Sequence, residues 1–169
     1  MPLEVLIRDA VATDCMAIAA IYAPYVLHGT VSFEVEPPSA EEILRRRAAI
    51  LQAGLPYLVA QAGGEIVGYA YASRFRPRPA YQFTAENSVY VSEPYQRRGI
   101  ARLLMQELMS LCAQSGIREM IAVIATPATS IASVALHRSL GFREVGVFLG
   151  VGEKFGEPLD VLMMQKSLR

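Results

Sequence analysis

The spacing of apolar and polar positions along the chain predicts short helices and strands that follow one another without a long linker. Apolar residues recur at helical spacing from 16 to 22, and a second helical pattern follows Ser39. Short apolar or alternating runs predict strands at 5–8, 57–62, 65–73 and 83–92.

Residues typical of helix ends and turns set the expected boundaries in this first half. Thr13 is expected to cap the first helix, and Ser39 with Glu42 has the spacing of a capping box at the second. Gly54 is expected to end that second helix. The pair 63–64 predicts a tight hairpin turn between two strands.

The second half predicts a strand, a turn and a helix, followed by further elements of both kinds. The patterns indicate helices at 100–114 and 132–140, a strand at 120–125, and two strand-like runs between 144 and 168. We therefore expect one α/β domain over 1–169, antiparallel at first and with a β-turn-α-β unit after it.

Composition narrows the possible partners. The chain has 169 residues and sixteen residues of each charge sign, so a nucleic acid or an anionic membrane is not the expected partner. Cys15 and Cys112 stand apart from each other and from any His cluster, which predicts buried thiols, no metal site and a cytoplasmic location. Residues 1–8 lack the basic segment and apolar run of a signal peptide, so none is expected there, and no apolar stretch approaches the length needed to span a membrane.

The most specific chemical signal is a basic turn between the strand at 83–92 and the helix at 100–114. A helix start offers free N–H groups and a partial positive charge, which together bind phosphate. Arg97 and Arg98 add charge, and Gly99 lets the backbone approach an anion closely. The alternative is an ordinary turn glycine beside solvated arginines.

The turn resembles motif A of the GNAT family of N-acetyltransferases. The motif is represented here by Gln96-x-x-Gly99-x-Ala101. Further stretches resemble the branch of phosphinothricin and methionine sulfone/sulfoximine acetyltransferases. These stretches are Thr84–Val91, Leu136–Phe142, Lys154–Gly156 and Asp160.

The resemblance implies a mixed, splayed central sheet with helices on both faces and a cleft for acetyl-CoA as co-substrate. It implies that the Val91 N–H polarises the thioester carbonyl, an oxyanion-type role. Ser130 stands where many relatives have an asparagine against the pantetheine arm. The cofactor-binding residues implied are Val89, Tyr90, Val91, Arg97, Arg98, Gly99, Ile100, Ala101, Arg102, Ser130 and Ser133.

A general base is needed because an amino-acid ammonium group must lose a proton before it attacks. Glu86 matches the glutamate of the branch and lies three residues before Val89, so it is the expected base. The alternative is a surface glutamate on an alternating strand. His137 is the second choice, because a lone histidine on an apolar helix is more often a packing residue.

The acceptor site is expected beside Glu86. Arginine suits planar anion recognition, and the loop before Glu86 matches the aromatic and basic loop of the branch. Solvated loop arginines are the alternative. The residues implied to bind the substrate are Phe33, Glu34, Phe75, Arg76, Pro77, Arg78, Glu86, Asn87 and Ser88.

The expected function is therefore acetyl transfer to the α-amine of a small amino acid or analogue. Direct attack is expected, and branch members form homodimers, which implies a homodimer here. Two alternatives stay open, namely a GNAT enzyme for another amine and a non-catalytic sensor of acyl-CoA. The arginine-rich loop argues against cationic acceptors such as polyamines.

Overall fold

The computed structural model describes residues 4–126 and 128–169. The described residues form a seven-stranded sheet and four α-helices. The strands are β1 (Val5–Asp9), β2 (Tyr57–Ala62), β3 (Glu65–Arg74), β4 (Thr84–Val91), β5 (Glu119–Ala125), β6 (Arg143–Lys154) and β7 (Glu157–Ser167). The helices are α1 (Cys15–His28), α2 (Ala40–Gln52), α3 (Ile100–Gln114) and α4 (Ile131–Ser139).

The sheet is mixed, with strand order β1-β2-β3-β4-β5-β7-β6. Every neighbouring pair is antiparallel except β4 and β5, which are parallel. These two strands pair over only three positions, and the last pair joins Glu86 to Ile121. Beyond that pair the strands diverge, which confirms the predicted splayed sheet.

Helices cover both faces of the sheet, as predicted. On β2 the side chains alternate, so Tyr57 and Val59 pack under α1 and α2, while Leu58 and Ala60 pack under α3. Each set belongs to a separate hydrophobic core, and Leu104 of α3 is fully buried in the core that also contains Leu58 and Ala60. Each such side chain contributes about 1.5–3 kcal/mol when it leaves water, so the two cores fix the helices against the sheet.

Most predicted boundaries are confirmed, but Thr13 is not the cap of α1. It lies inside a single 3₁₀ turn, Ala12–Asp14, and α1 begins at Cys15. The physical reason is Asp14, whose carboxylate accepts the Val11 N–H (2.8 Å) and pairs with Arg8 (2.8 Å). These contacts stabilise a tight turn before the helix.

The second helix begins and ends much as predicted. The Ser39 hydroxyl accepts the Glu42 N–H at 3.2 Å, which is half of a capping box. The Glu42 carboxylate pairs with Arg45 and Arg46 instead of turning back to the Ser39 backbone. Gly54 follows the helix with φ +75°, the left-handed conformation typical of a glycine after a helix end.

Candidate functional site

The divergence of β4 from β5 opens a cleft of about 670 Å³. Its walls come from both strands, the turn before α3, the first turn of α3 and the helix α4. The predicted site residues that line the cleft are Phe33, Glu86, Asn87, Ser88, Val89, Tyr90, Val91, Arg97, Gly99, Ile100, Ala101, Arg102, Ser130 and Ser133.

The backbone of β4 presents donors to this cleft. Successive residues of a strand direct their N–H groups to opposite sides. The Ser92 N–H donates to Val67 O (2.9 Å) on the β3 side, so the Val91 N–H points toward the cleft. The Val91 carbonyl accepts from the hydroxyl of Tyr25 (2.5 Å) and from Gln96 Nε2 (3.4 Å). These two side chains therefore hold the Val91 carbonyl at a position where β4 no longer pairs with β5.

The turn before α3 forms an open anion cradle. Gly99 occupies the N-cap position with φ +81°, and no atom lies within 4 Å of the place where a Cβ would be. Arg97 also has a positive φ (+61°), which is strained for a residue with a side chain. Arg97 and Arg102 line the cleft, so free N–H groups and two cations converge at the helix start.

Arg98, the other cation of this turn, stacks on a neighbouring aromatic ring. Its guanidinium lies over the ring of Tyr95, 5.6 Å from the ring centre. Arg98 is absent from the lining of the cleft, unlike its neighbours Arg97 and Gly99. The predicted role of Arg98 in binding the cofactor stays a prediction.

Glu86 lies at the fork of the cleft, where the pairing of β4 with β5 ends. Its side chain is partly exposed, and burial raises the pKa of the carboxyl above its usual range. Desolvation disfavours the charged form, so such a carboxylate takes up a proton more readily. This is the electrostatic setting that a general base requires.

Asn87 and His137 form a buried bridge across the same fork. Asn87 Nδ2 donates to Ile121 O (3.0 Å), and His137 Nε2 lies 2.9 Å from Asn87 Oδ1. The other ring nitrogen, Nδ1, lies 2.8 Å from Ser133 O. Burial lowers the pKa of His137, and both ring nitrogens are already engaged. The sequence did not reveal this bridge, because its residues are 50 positions apart.

The basic loop and Glu34 lie away from the cleft. None of Phe75, Arg76, Pro77 and Arg78 lines it, and the Arg76 guanidinium stacks on Phe75 at 5.1 Å from the ring centre. The Glu34 carboxylate pairs with Arg46 (2.6 Å). Their predicted contacts with substrate stay predictions.

Lys154 is a further functional candidate, because it holds the loop that carries Phe33. It is 4% exposed, and its Nζ donates to Val26 O (2.7 Å) at the end of α1 and to Ser32 O (2.8 Å). The Phe33 ring packs on Gly152, where a Cβ would lie 2.4 Å from a ring carbon. The β6–β7 hairpin and this loop therefore form one wall. Lys154 belonged to the resembling tail, but nothing in the sequence indicated its burial.

Two kinds of structural feature are absent from the described residues. Within 4–126 and 128–169, no cluster of three or more His, Cys, Asp or Glu side chains is arranged to hold a metal ion. In the same part of the chain, no helix has the length and apolar character needed to cross a membrane.

Comparison with known proteins supports the family that the sequence motifs indicated, over most of the chain. The model of the acetyltransferase (GNAT) family matches residues 18–142. A phosphinothricin N-acetyltransferase of Alcaligenes faecalis is 44% identical over 96% of this chain and 81% of its own length. An L-methionine sulfoximine/L-methionine sulfone acetyltransferase of Pseudomonas paraeruginosa is 37% identical over 96% of this chain and 94% of its own.

Solved structures agree with these sequence relatives. A putative acetyltransferase from Salmonella typhimurium, solved with acetyl-CoA, superposes with a TM-score of 0.93 at 34% identity, covering 98% of this chain and 94% of the other. A phosphinothricin acetyltransferase from Sinorhizobium meliloti, in complex with acetyl-CoA, gives 0.91 at 42% identity, with 99% and 89% covered. The chain therefore belongs to the acetyltransferase (GNAT) family and is an acetyl-CoA-dependent N-acetyltransferase.

Proposed function

We propose that the chain acetylates the α-amine of a small amino acid or analogue, of the phosphinothricin, methionine sulfone or methionine sulfoximine type. One observation carries this proposal: Glu86, with a raised carboxyl pKa, and the Val91 N–H face the same cleft as the anion cradle. The relatives named above act, by their names, on amino-acid analogues of these types.

The cleft fits acetyl-CoA. We assign the pyrophosphate to the N–H groups at the start of α3 and to Arg97 and Arg102, since the position above Gly99 is open. The pantetheine arm would follow the unpaired edge of Val89–Val91. Ser130 lines the opposite side, with its hydroxyl donating to Ala125 O (2.7 Å), so the hydroxyl oxygen remains able to accept a hydrogen bond.

The reaction then needs one proton acceptor and one oxyanion donor. Glu86 takes a proton from the substrate ammonium, directly or through water, and the neutral amine attacks the thioester carbonyl carbon. The Val91 N–H stabilises the negative charge that develops on the carbonyl oxygen. The C–S bond then breaks, the attacking nitrogen loses one more proton to become the amide, and the leaving thiolate of CoA takes up that proton.

Direct attack is favoured over a covalent enzyme intermediate. Cys15 and Cys112 are 3% and 0% exposed, and neither lines the cleft. Burial also raises the pKa of each thiol, which lowers the fraction of reactive thiolate. Two reduced, buried thiols are consistent with the cytoplasmic location that we propose.

We also propose a homodimer built on β6. This edge strand exposes a row of apolar side chains, among them Val147 (48%), Phe148 (53%) and Leu149 (78%). Such rows on edge strands are normally covered or interrupted by charge. A second copy of the chain, which would cover the same surface on both partners, is the occupant that we propose.

The test of the proposed function is a thiol-release assay with acetyl-CoA and a panel of amines. We expect acetylation of methionine sulfone, methionine sulfoximine or phosphinothricin, and little acetylation of polyamines or aminoglycosides. Activity confined to cationic amines would contradict the proposed acceptor class. Acetyl-CoA binding without transfer to any amine would identify a sensor instead.

A further inference from the structure

Tyr25 of α1 and Gln96 of the turn before α3 meet at the end of β4, and we call this pair the carbonyl clamp. The Tyr25 hydroxyl donates to Val91 O at 2.5 Å. Gln96 Nε2 donates to the Tyr25 hydroxyl at 2.8 Å and to Val91 O at 3.4 Å. Neither side chain takes part in the mechanism described so far, although both residues line the cleft.

Val91 is the last residue of β4, at a place where β5 has already diverged from the strand. The Ser92 N–H bonds to Val67 O on the β3 side, whereas the N–H and the carbonyl of Val91 face the cleft. In an extended residue these two groups point to the same side, so a contact that fixes the carbonyl also fixes the N–H. The pairing of β4 with β5 ends at Glu86 and cannot supply that contact.

The backbone between Val91 and Gln96 forms a compact turn that brings the Gln96 amide back to the strand. A single 3₁₀ turn spans Glu93–Tyr95, and the Gln96 N–H donates to Glu93 O at 3.2 Å. This hydrogen bond fixes the point from which the Gln96 side chain starts. Gln96 also directly precedes Arg97 of the anion cradle, so it lies between the cradle and the end of the strand.

Tyr25 is fixed from the other side of the clamp. Its ring packs edge-on against that of Tyr90, with ring centres 5.2 Å apart. Burial raises the pKa of the Tyr25 hydroxyl, so the hydroxyl stays neutral and able to donate. Its oxygen accepts from the Gln96 amide, and its one hydrogen is therefore free for Val91 O. The hydrogen bonds of the clamp thus run in one direction, from amide to hydroxyl to carbonyl.

The clamp differs from the anion cradle in the chemistry that it offers. Gln96 and Tyr25 are uncharged, and both donate to protein groups, so they add no attraction for a pyrophosphate. A contact that directs an oxyanion donor acts mainly on the transition state, because the charge on the thioester oxygen develops there. Such a contact contributes to kcat more than to the affinity for acetyl-CoA.

We propose that Gln96 and Tyr25 are positioning residues for acetyl transfer, which hold the Val91 carbonyl so that the Val91 N–H stays directed at the thioester oxygen. This inference rests on the proposed function, in which that N–H is the oxyanion donor, and deepens it by naming the residues that direct the donor. Gln96, the first residue of the motif, therefore serves the chemical step and not the binding of the cofactor.

The first experiment measures the hydrogen bond to the thioester directly. Infrared spectroscopy of bound acetyl-CoA, isotopically labelled at the thioester carbonyl, should show a lower stretching frequency than free acetyl-CoA. Gln96→Met and Tyr25→Phe should both move this frequency back toward the free value. Gln114→Met is the matched control, because it loses an amide hydrogen bond to Ser110 (3.2 Å) at the other end of α3. It should keep the wild-type frequency.

This measurement needs no acceptor amine, so it separates failure of the clamp from failure of the proposed function. An unchanged frequency in both clamp variants would overturn the role of the clamp alone. A thioester band at the free frequency in the wild type would remove the oxyanion donor, and the clamp with it.

The second experiment separates turnover from binding, with an amine that the wild type acetylates. Each clamp variant should lower kcat about three- to tenfold, the usual worth of one neutral hydrogen bond, and should leave the dissociation constant of acetyl-CoA unchanged in calorimetry. Because Gln96 and Tyr25 act as one unit, the double variant should lose little more than either single variant. Losses that multiply in the double variant, or a weaker acetyl-CoA affinity with wild-type kcat, would contradict the proposal.

Discussion

At the scale of single residues, strand alternation gives neighbours on β4 different surroundings. Glu86 lines the cleft and is partly exposed, while the buried Asn87 side chain donates to Ile121 O at the fork. The motif residues Gln96, Gly99 and Ala101 line the cleft, and the sequence could indicate them because a turn and a helix start are local features. It did not predict the partners of Asn87, because these depend on how α4 packs on the sheet.

Replacing Glu86 by Gln should lower kcat about 10²–10⁴-fold, the usual contribution of a positioned base. Burial raises the pKa of Glu86, so the wild-type rate should rise with pH through a limb above the usual glutamate range. The variant should lack that limb. The measurement is a pH–rate profile at saturating acetyl-CoA.

The stability of Glu86→Gln serves as a control, because the raised pKa of Glu86 also predicts how the variant's stability compares with that of the wild type. A carboxyl whose pKa is raised by folding stabilises the folded state at low pH, and this contribution is lost as the pH rises through the raised pKa. Glu86→Gln should therefore be at least as stable as the wild type at pH 8. A variant that keeps both wild-type kcat and the acidic limb would show that Glu86 is not the base.

Replacing Asn87 by Leu should raise the KM for acetyl-CoA about tenfold. The change leaves Ile121 O and His137 without their partner, at a cost of about 1–3 kcal/mol for a buried group. His137→Gln keeps an amide donor and should retain both kcat and the pH profile. Loss of the acidic limb in His137→Gln would instead identify His137 as the base.

At the scale of elements, the cradle depends on how the turn enters α3. Gly99 is in the left-handed region, so Gly99→Val would combine backbone strain with obstruction of the cradle. Gly99→Asn separates the two effects, since asparagine tolerates this conformation. We expect Gly99→Asn to fold with little loss of Tm and to bind acetyl-CoA at least tenfold more weakly in calorimetry. An unchanged affinity for acetyl-CoA would show that the pyrophosphate does not bind at this turn.

The β6–β7 hairpin and the loop after α1 act as one element through Lys154. Lys154→Met should lower the free energy of unfolding by about 1–3 kcal/mol, because Val26 O and Ser32 O lose their donor. The loosened Phe33 loop should raise the KM for the amine but not for acetyl-CoA. Lys166→Met, the same change on β7, is the matched control. Equal thermal melting of the two variants would contradict this role.

At the scale of the whole molecule, the sequence predicted the mixed sheet and the helices on both faces. These follow from periodicity and from one family motif. The homodimer was implied by the resemblance alone, and the surface that we propose for it, along β6, appears only after folding. Within the single chain, the predicted basic loop also stays away from the cleft.

Leu149→Glu should convert a dimer into a monomer. The residue is 78% exposed and apolar, so a charge there leaves a single chain intact but repels a second copy. Sedimentation should give about twice the chain mass of 18.5 kDa for the wild type and the single-chain mass for the variant. A wild-type protein that sediments as a monomer at tens of micromolar would refute the proposed interface.

The three-residue contact between β4 and β5 has a consequence for the lifetime of the enzyme. This short seam is the only strand pairing that joins β1–β4 to β5–β7 in the described sheet. A co-substrate bound in the cleft, as we propose, would contact both half-sheets beyond the seam and hold them together. At a hundred times its dissociation constant, a ligand adds about 2.7 kcal/mol to stability. Heat inactivation and proteolysis should therefore slow as acetyl-CoA accumulates, so that the amount of surviving enzyme follows the supply of its own acetyl donor.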